Sequence, residues 1–331
     1  MPWKLTRAEY HQHTRVATAQ VSKEVCSLVV RHAGLISHLN GIKDYLLLGR
    51  GDVFWMFLDA SAQLLRKPPD ASTATLNLQR AFVSAAARTG VDSTPEFSRV
   101  SISWQPPPEA PRILIGSGSY AHIPSFFQDN PVAASWNDVA MAYSPPWPLP
   151  LLFTRDVMDV YEALFRYLLA VERASRALDE VWQHVMTNMR SSRRRWAVNS
   201  QSATAGSSTE RATGGQPTAS ARAESAEGVG VARVGHACAA AVLRHRMDCV
   251  VRHLKGYLGD VVTRLFAEAE DEMSGAKTFV EVQNAHERLL TNLKLQTFLT
   301  SRQMCKVIEA LLQGCAMLCK CVFSTLLWIE C

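Results

Sequence analysis

One unbroken helical period between Thr154 and Trp196 constrains this chain more than anything else in it. Val157, Val160, Leu164, Leu168, Val171, Leu178, Val181, Val185 and Met189 recur at the spacing that lines one face of an α-helix. Roughly 40 residues at about 1.5 Å each predict a rod of about 60 Å. Thr154 stands at the N-cap position, with Asp156 and Asp159 near the positive end of the helix dipole. A second long period uses Leu243, Met247, Val250, Leu254, Leu258, Val261 and Leu265 and predicts a helix from Val234 to Ala269.

Other segments follow the same pattern. Val21, Val25, Leu28, Val29, Leu35, Ile36, Leu39, Ile42 and Leu46 predict a helix from about Thr14 to Leu48, loosened near Gly41. The next helix starts at Asp52 and is stopped by Pro68-Pro69. A short helix fits "TLNLQRAFVSAAART", and two more run over Ser274–Thr300 and from Ser301 to the end. Between these lie three short strand candidates, "FSRVSISWQ", "PRILIG" and "DVAMAYS". In the first, Val100, Ile102 and Trp104 alternate inward. The Pro106–Pro108 run and "GSGSYAHIPSFFQDNP" read as loop. No internal repeat is present.

The fold class is therefore mainly α: an elongated bundle of long antiparallel helices with a small β insert. The chain divides into N-terminal helices over 1–68, a short helix with the β insert and loops over 69–153, the long helix over 154–197, an insert over 198–232, and C-terminal helices over 233–331. The insert holds Ser, Thr, Ala and Gly with no large apolar residue, and is expected to be disordered.

Chemistry-bearing patterns are sparse. "ILIGSGSYAH" is half of a dinucleotide loop without its third glycine or its helix. There is no P-loop and no GxSxG elbow. Eight cysteines form no CxxC pair. With no apolar leader in "MPWKLTRAEYHQHTR", they read as free thiols in a reducing compartment. On a helix Cys315 and Cys319 share a face and Cys321 does not, which argues against a metal set. His11 and His13 read as a solvated helix start, while His245, His253 and His286 sit singly on helices. No cofactor, metal or small-molecule substrate is expected. The apolar C-terminal segment is interrupted by Glu309, Gln313, Lys320 and Glu330, so it reads as a packed helix rather than a membrane anchor. Arg190–Arg195 form the sharpest basic cluster, a solvated helix end or a nucleic-acid contact. The net charge of +5 favours an acidic partner only weakly.

"DYLLLGRGDVFWMFLD" stops one helix and starts another at Gly-Arg-Gly-Asp. An adhesion ligand needs secretion, and two glycines alone make a poor phosphate cradle. A helix corner accounts for more: Gly49 ends one helix in the left-handed conformation, Asp52 caps the next, and Arg50 projects.

The corner resembles the start of the C-terminal domain of the gamma-tubulin complex component family, also called the spindle pole body component family. There an acidic residue and an aromatic precede a Leu-Gly-Arg-Gly turn and a helix with paired aromatics. The resemblance continues in order. Trp147, Pro148 and Leu149 match the family's Trp-Pro-Leu turn; Tyr161, Phe165, Leu168, Leu169 and Arg173 match its long helix. "LRHRMDCVVRHLKGYLGDVV" is similar to the next helix, with Gly259 where the family has a larger residue. Ala285, His286, Leu290, Leu293 and Phe298 match the segment after it. The turn most resembles the family's component-four branch.

The resemblance implies a non-enzymatic adaptor that grips gamma-tubulin, beside other complex components, at a microtubule-organising centre or spindle pole. It further implies that the family's N-terminal half is missing and that the bundle continues past Cys331. Candidate gamma-tubulin contacts are Arg50, Asp52, Arg155, Arg166, Arg173, His286 and Asn292; Gly49, Gly51, Trp147, Pro148 and Leu149 are the structural motif. The alternatives are a generic helical tether with another partner, and a nucleic-acid binder through Arg190–Arg195. Membrane association is not expected.

Overall fold

The computed structural model describes residues 7–70, 72–104, 112–115, 119–122, 135–205 and 220–327. They form a mainly α-helical fold with two small antiparallel sheets. In chain order the elements are α1 (Arg7–Ser27), a π-helical turn (Leu28–His32), α2 (Leu35–Leu46), α3 (Gly51–Leu65), α4 (Ala74–Thr89) and a 3-10 turn (Phe97–Arg99). Strands β1 (Val100–Trp104), β2 (Arg112–Ile115), β3 (Ser119–His122) and β4 (Val139–Tyr143) follow. After a 3-10 turn (Leu149–Leu151) come α5 (Arg155–Ala205), α6 (Ser220–Gly275), α7 (Phe279–Gln296) and α8 (Arg302–Leu327). No described helix is long and apolar enough to cross a membrane.

Two compact units divide the chain: Met1–Arg173 with Leu254–Gln313, and Ala174–His253 with Gly314–Cys331. The core of the first is an aromatic cluster centred on Phe82 of α4. Its ring stacks on Phe97 at 5.5 Å and meets Phe57 edge-on at 6.0 Å, with Phe54 at 6.2 Å and Tyr45 at 6.4 Å. Phe54 in turn reaches Phe165 of α5 at 6.1 Å. Between Val160 and Val171 almost every residue of α5 is buried, including Tyr161, Leu164, Phe165 and Tyr167. A helix buried on all but the face of Glu162 and Arg166 lies inside other elements.

In this unit β1 pairs with β4, placing Ile102 opposite Met141. Thr75 of α4 ties to β1: its hydroxyl accepts from the Trp104 N–H at 3.2 Å. The start of α7 is closed by three side chains. Thr278 accepts from the Glu281 N–H, Glu281 accepts from the Lys277 N–H at 2.7 Å, and Ser22 of α1 accepts from the Phe279 N–H at 3.1 Å. Each satisfies a helix-end donor that would otherwise go unpaired.

The second unit is organised around Arg244 of α6. The side chain is buried; its Nε donates to the Leu178 carbonyl at 2.9 Å, and Nη2 reaches Asp179 at 3.1 Å and Asp248 at 3.2 Å. The guanidinium lies 5.3 Å from the Trp182 ring centroid. Leu178, Val181, Val251, Cys315 and Cys319 fill the core beside it.

Several boundaries differ from the sequence reading. The first helix is interrupted at Gly34, which takes φ 65°, not at Gly41, which lies inside α2. A left-handed residue breaks a helix outright, whereas periodicity alone runs straight through it. The segment read as loop after Ile115 contains β3, paired with β2. Of the 198–232 insert, residues 206–219 lie outside the described residues. The flanks are helical, because α5 continues to Ala205 and α6 begins at Ser220. Both flanks are rich in alanine, the best helix former, so backbone propensity carries the helices past the last large apolar residue.

The aromatic cluster makes a quantitative expectation. Phe82→Ala removes a ring with four aromatic neighbours and should cost about 3–5 kcal/mol. Val83→Ala, at an exposed position on the same helix, should change stability by no more than about 0.5 kcal/mol. Thermal melts of the two variants make the comparison; equal effects would mean that Phe82 is not central.

Candidate functional site

The corner between α2 and α3 is tight. After Leu46 the chain closes with the Gly49 N–H donating to the Lys43 carbonyl at 3.0 Å and the Arg50 N–H to the Asp44 carbonyl at 3.1 Å. The left-handed residue is Leu48, at φ 57°; Gly49 is not left-handed, which corrects the sequence reading. Gly49 is required for a different reason. A Cβ there would sit 2.9 Å from the Lys43 carbonyl oxygen and 3.1 Å from the Asp44 Cα, both backbone atoms. The close approach of residue 49 to the preceding turn moves the left-handed step one residue earlier. At Gly51, the first residue of α3, a Cβ would meet nothing within 4 Å.

The charges at the corner pair with each other. Arg50, not Asp52, occupies the N-cap position of α3, and no side-chain cap bond forms there. Arg50 Nε donates to Asp52 Oδ1 at 3.0 Å and Nη2 to Oδ2 at 2.8 Å, a bidentate fork. That fork holds the Asp52 carboxyl below its ordinary range. Asp44, nearby, is raised by burial. Arg50 therefore does not project as a bare cation. It is about one-third exposed and half of Asp52 is exposed, so the fork forms part of the surface.

The other candidates divide by burial. Arg155 is exposed at the start of α5, and Asn292 is half-buried on α7. Arg166 is only 9% exposed; Nη2 donates to Glu162 at 2.6 Å, and its buried Nε has no protein partner. Arg173 donates to the Trp136 carbonyl at 3.2 Å and to Asn137 at 3.4 Å, and burial pulls it down to about 10. Trp136, fully buried, donates its indole N–H to the Lys67 carbonyl at 2.8 Å. Arg173 thus fastens α5 to the turn before β4, while Arg166 pairs within α5. His286 is 2% exposed; its Nε2 lies 3.0 Å from the Tyr161 hydroxyl, with Phe153 edge-on at 5.3 Å. Burial pushes the imidazole down to about 4. In the Trp-Pro-Leu turn, Trp147 is 75% exposed and Leu149 is fully buried. Among the described residues no group of three metal-ligating side chains assembles.

The structure therefore brings Arg50 and Asp52 together, leaves Arg155 and Trp147 on the surface, and turns Arg166, Arg173 and His286 inward. A model of a protein family described as "Gamma tubulin complex component C-terminal" matches residues 35–329. The chain belongs to this family. A "Gamma-tubulin complex component 4 homolog" of Medicago truncatula is 29% identical over 91% of the chain and 39% of its own length. "Gamma-tubulin complex component 4" of Arabidopsis thaliana is 26% identical, covering 94% of the chain and 40% of the relative. The Homo sapiens protein of that name is 23% identical over 92% of the chain and 40% of its own length. The chain thus spans about two fifths of the length of the curated relatives it matches.

Sequence reasoning missed the internal pairing of these charges, because the partners of Arg173 and His286 lie 37 and 125 residues away. It could have found the Arg50–Asp52 and Arg166–Glu162 pairs from their local spacing.

Two expectations follow. Gly49→Ala should destabilise by about 1–3 kcal/mol through the backbone clash, whereas Gly51→Ala should be neutral or stabilising by up to about 1 kcal/mol. Chemical denaturation of both variants tests the assignment, and the reverse order would refute it. His286 gives a pH effect. Its folded-state value of about 4 lies below the ordinary 6.5, so between these values the unfolded chain binds the extra proton. The stability from neutral, buried His286 is complete above pH 6.5 and is lost as pH falls toward 4, roughly 3 kcal/mol in all. His286→Gln should flatten that part of the stability–pH curve, and an unchanged slope would show that other groups produce it.

Proposed function

We propose that this chain is a gamma-tubulin-binding segment of a gamma-tubulin complex, a non-enzymatic adaptor acting in microtubule nucleation at microtubule-organising centres and spindle poles in the cytoplasm. The observation that carries this reading is the match of the family's C-terminal model across residues 35–329. Its partners are gamma-tubulin and other complex components.

Physical access orders the candidate contacts. An interface needs side chains that reach a partner without first breaking an internal bond. Exposed Arg155 meets that condition; Arg50 and Asp52 are bonded to each other but stay accessible as a unit, and half-buried Asn292 meets it in part. Arg166, Arg173 and His286 serve the fold and shape the contact surface only through it.

The test is retention of purified gamma-tubulin by the immobilised chain at low ionic strength. Binding is expected, and Arg50→Glu combined with Arg155→Glu should weaken it about tenfold, equivalent to about 1.4 kcal/mol. The helical signal and melting temperature of the double variant should stay near wild type. No retention by the wild-type chain refutes the reading. Unchanged binding by the double variant keeps the partner and removes these contacts.

A further inference from the structure

Seven free cysteines lie among the described residues, and their surroundings differ. Cys26, Cys305, Cys315 and Cys319 are buried, and burial raises each thiol, Cys315 to about 11 and Cys319 to about 12. These are core side chains with poor access to any reagent. Cys238 and Cys321 are exposed, and neither has a histidine one helical turn away in the sequence. Cys249 is different. It is partly exposed on α6, and His245, one turn earlier, places its Nε2 3.8 Å from the Cys249 Sγ. Four-residue spacing on a helix sets such a pair face to face. His253, one turn later, is committed elsewhere: its Nδ1 donates to the Cys249 carbonyl at 2.6 Å. The sequence reading of His245 as solitary is thereby corrected.

We propose that Cys249 is a site of covalent modification by small-molecule disulfides, with His245 as the proton acceptor. A partly exposed thiol beside an imidazole has the two things nucleophilic attack needs, access and a base within reach. As the sulfur of Cys249 attacks one sulfur of the disulfide, its proton passes to His245 Nε2. A new S–S bond forms to Cys249, and the S–S bond of the reagent breaks. The leaving sulfur carries off the electron pair and takes the proton from the imidazolium to become a thiol. Cys249 is oxidised to a mixed disulfide and the reagent is reduced, with no further oxidant. The product places the adduct on the partly exposed side of α6 that carries His245.

The experiment incubates the full chain with oxidised glutathione, quenches with acid at intervals, and maps adducts by peptide mass. Cys249 should react at least about tenfold faster than Cys238 and Cys321, which serve as internal references in the same molecules. His245→Gln should bring the Cys249 rate to within about twofold of the references. His253→Gln should leave the rate unchanged. Equal rates at Cys249 and the exposed references in the wild-type chain, or full Cys249 reactivity in His245→Gln, would overturn the proposal. The wild-type comparison decides the point even if a variant folds poorly.

Discussion

The enclosure of α5 between Val160 and Val171 is the constraint from which the first unit follows. A helix buried over most of its circumference, with only Glu162 and Arg166 on the remaining face, needs cover on several sides, and the neighbouring elements supply it. α3 does so through Phe54 against Phe165, and α7 through His286 against Tyr161. The turn before β4 is fastened to it through Trp136 and Arg173. Enclosure also dictates the polar chemistry. A hydroxyl or guanidinium carried on such a helix must find a partner or pay for desolvation. Tyr161, Arg166 and Arg173 accordingly meet His286, Glu162 and the Trp136 carbonyl.

This enclosure explains what could and could not be read from the residues. The period of α5, the paired prolines after α3 and the alternation in β1 are local signals, and the elements they mark are present. The break at Gly34 was not legible, because a glycine in a helical pattern reads the same whether it terminates the helix or merely packs within it, as Gly41 does. β3 was missed because "SYAH" is too short and too small to alternate visibly. At the corner the pattern Leu-Gly-Arg-Gly marked a turn correctly but assigned the left-handed step to the wrong residue. Steric need at Gly49 comes from Lys43 and Asp44 across the turn, and no single-position propensity records it.

The candidate contacts were less legible than the fold. Charge and resemblance pointed to seven residues, yet whether a side chain faces a partner or its own core depends on distant chain. Arg173 and His286 are spoken for by groups far along the sequence. Arg50 and Asp52 satisfy each other while remaining accessible. What the chain offers at this corner is thus a neutral fork held on a rigid turn.

The bond between the Ser22 hydroxyl and the Phe279 N–H has a consequence for how the chain is made. The two residues are 257 positions apart. At roughly 5–20 residues per second, a ribosome needs on the order of 10 to 50 s to deliver the second after the first. During that interval α1 has emerged without the helix it closes, and with only Cys26 among its own residues buried even in the finished fold, it has little apolar surface with which to collapse early. Within this unit α1 is therefore synthesised well before the helix it closes, and its mostly polar surface suits it to wait in water until α7 is delivered.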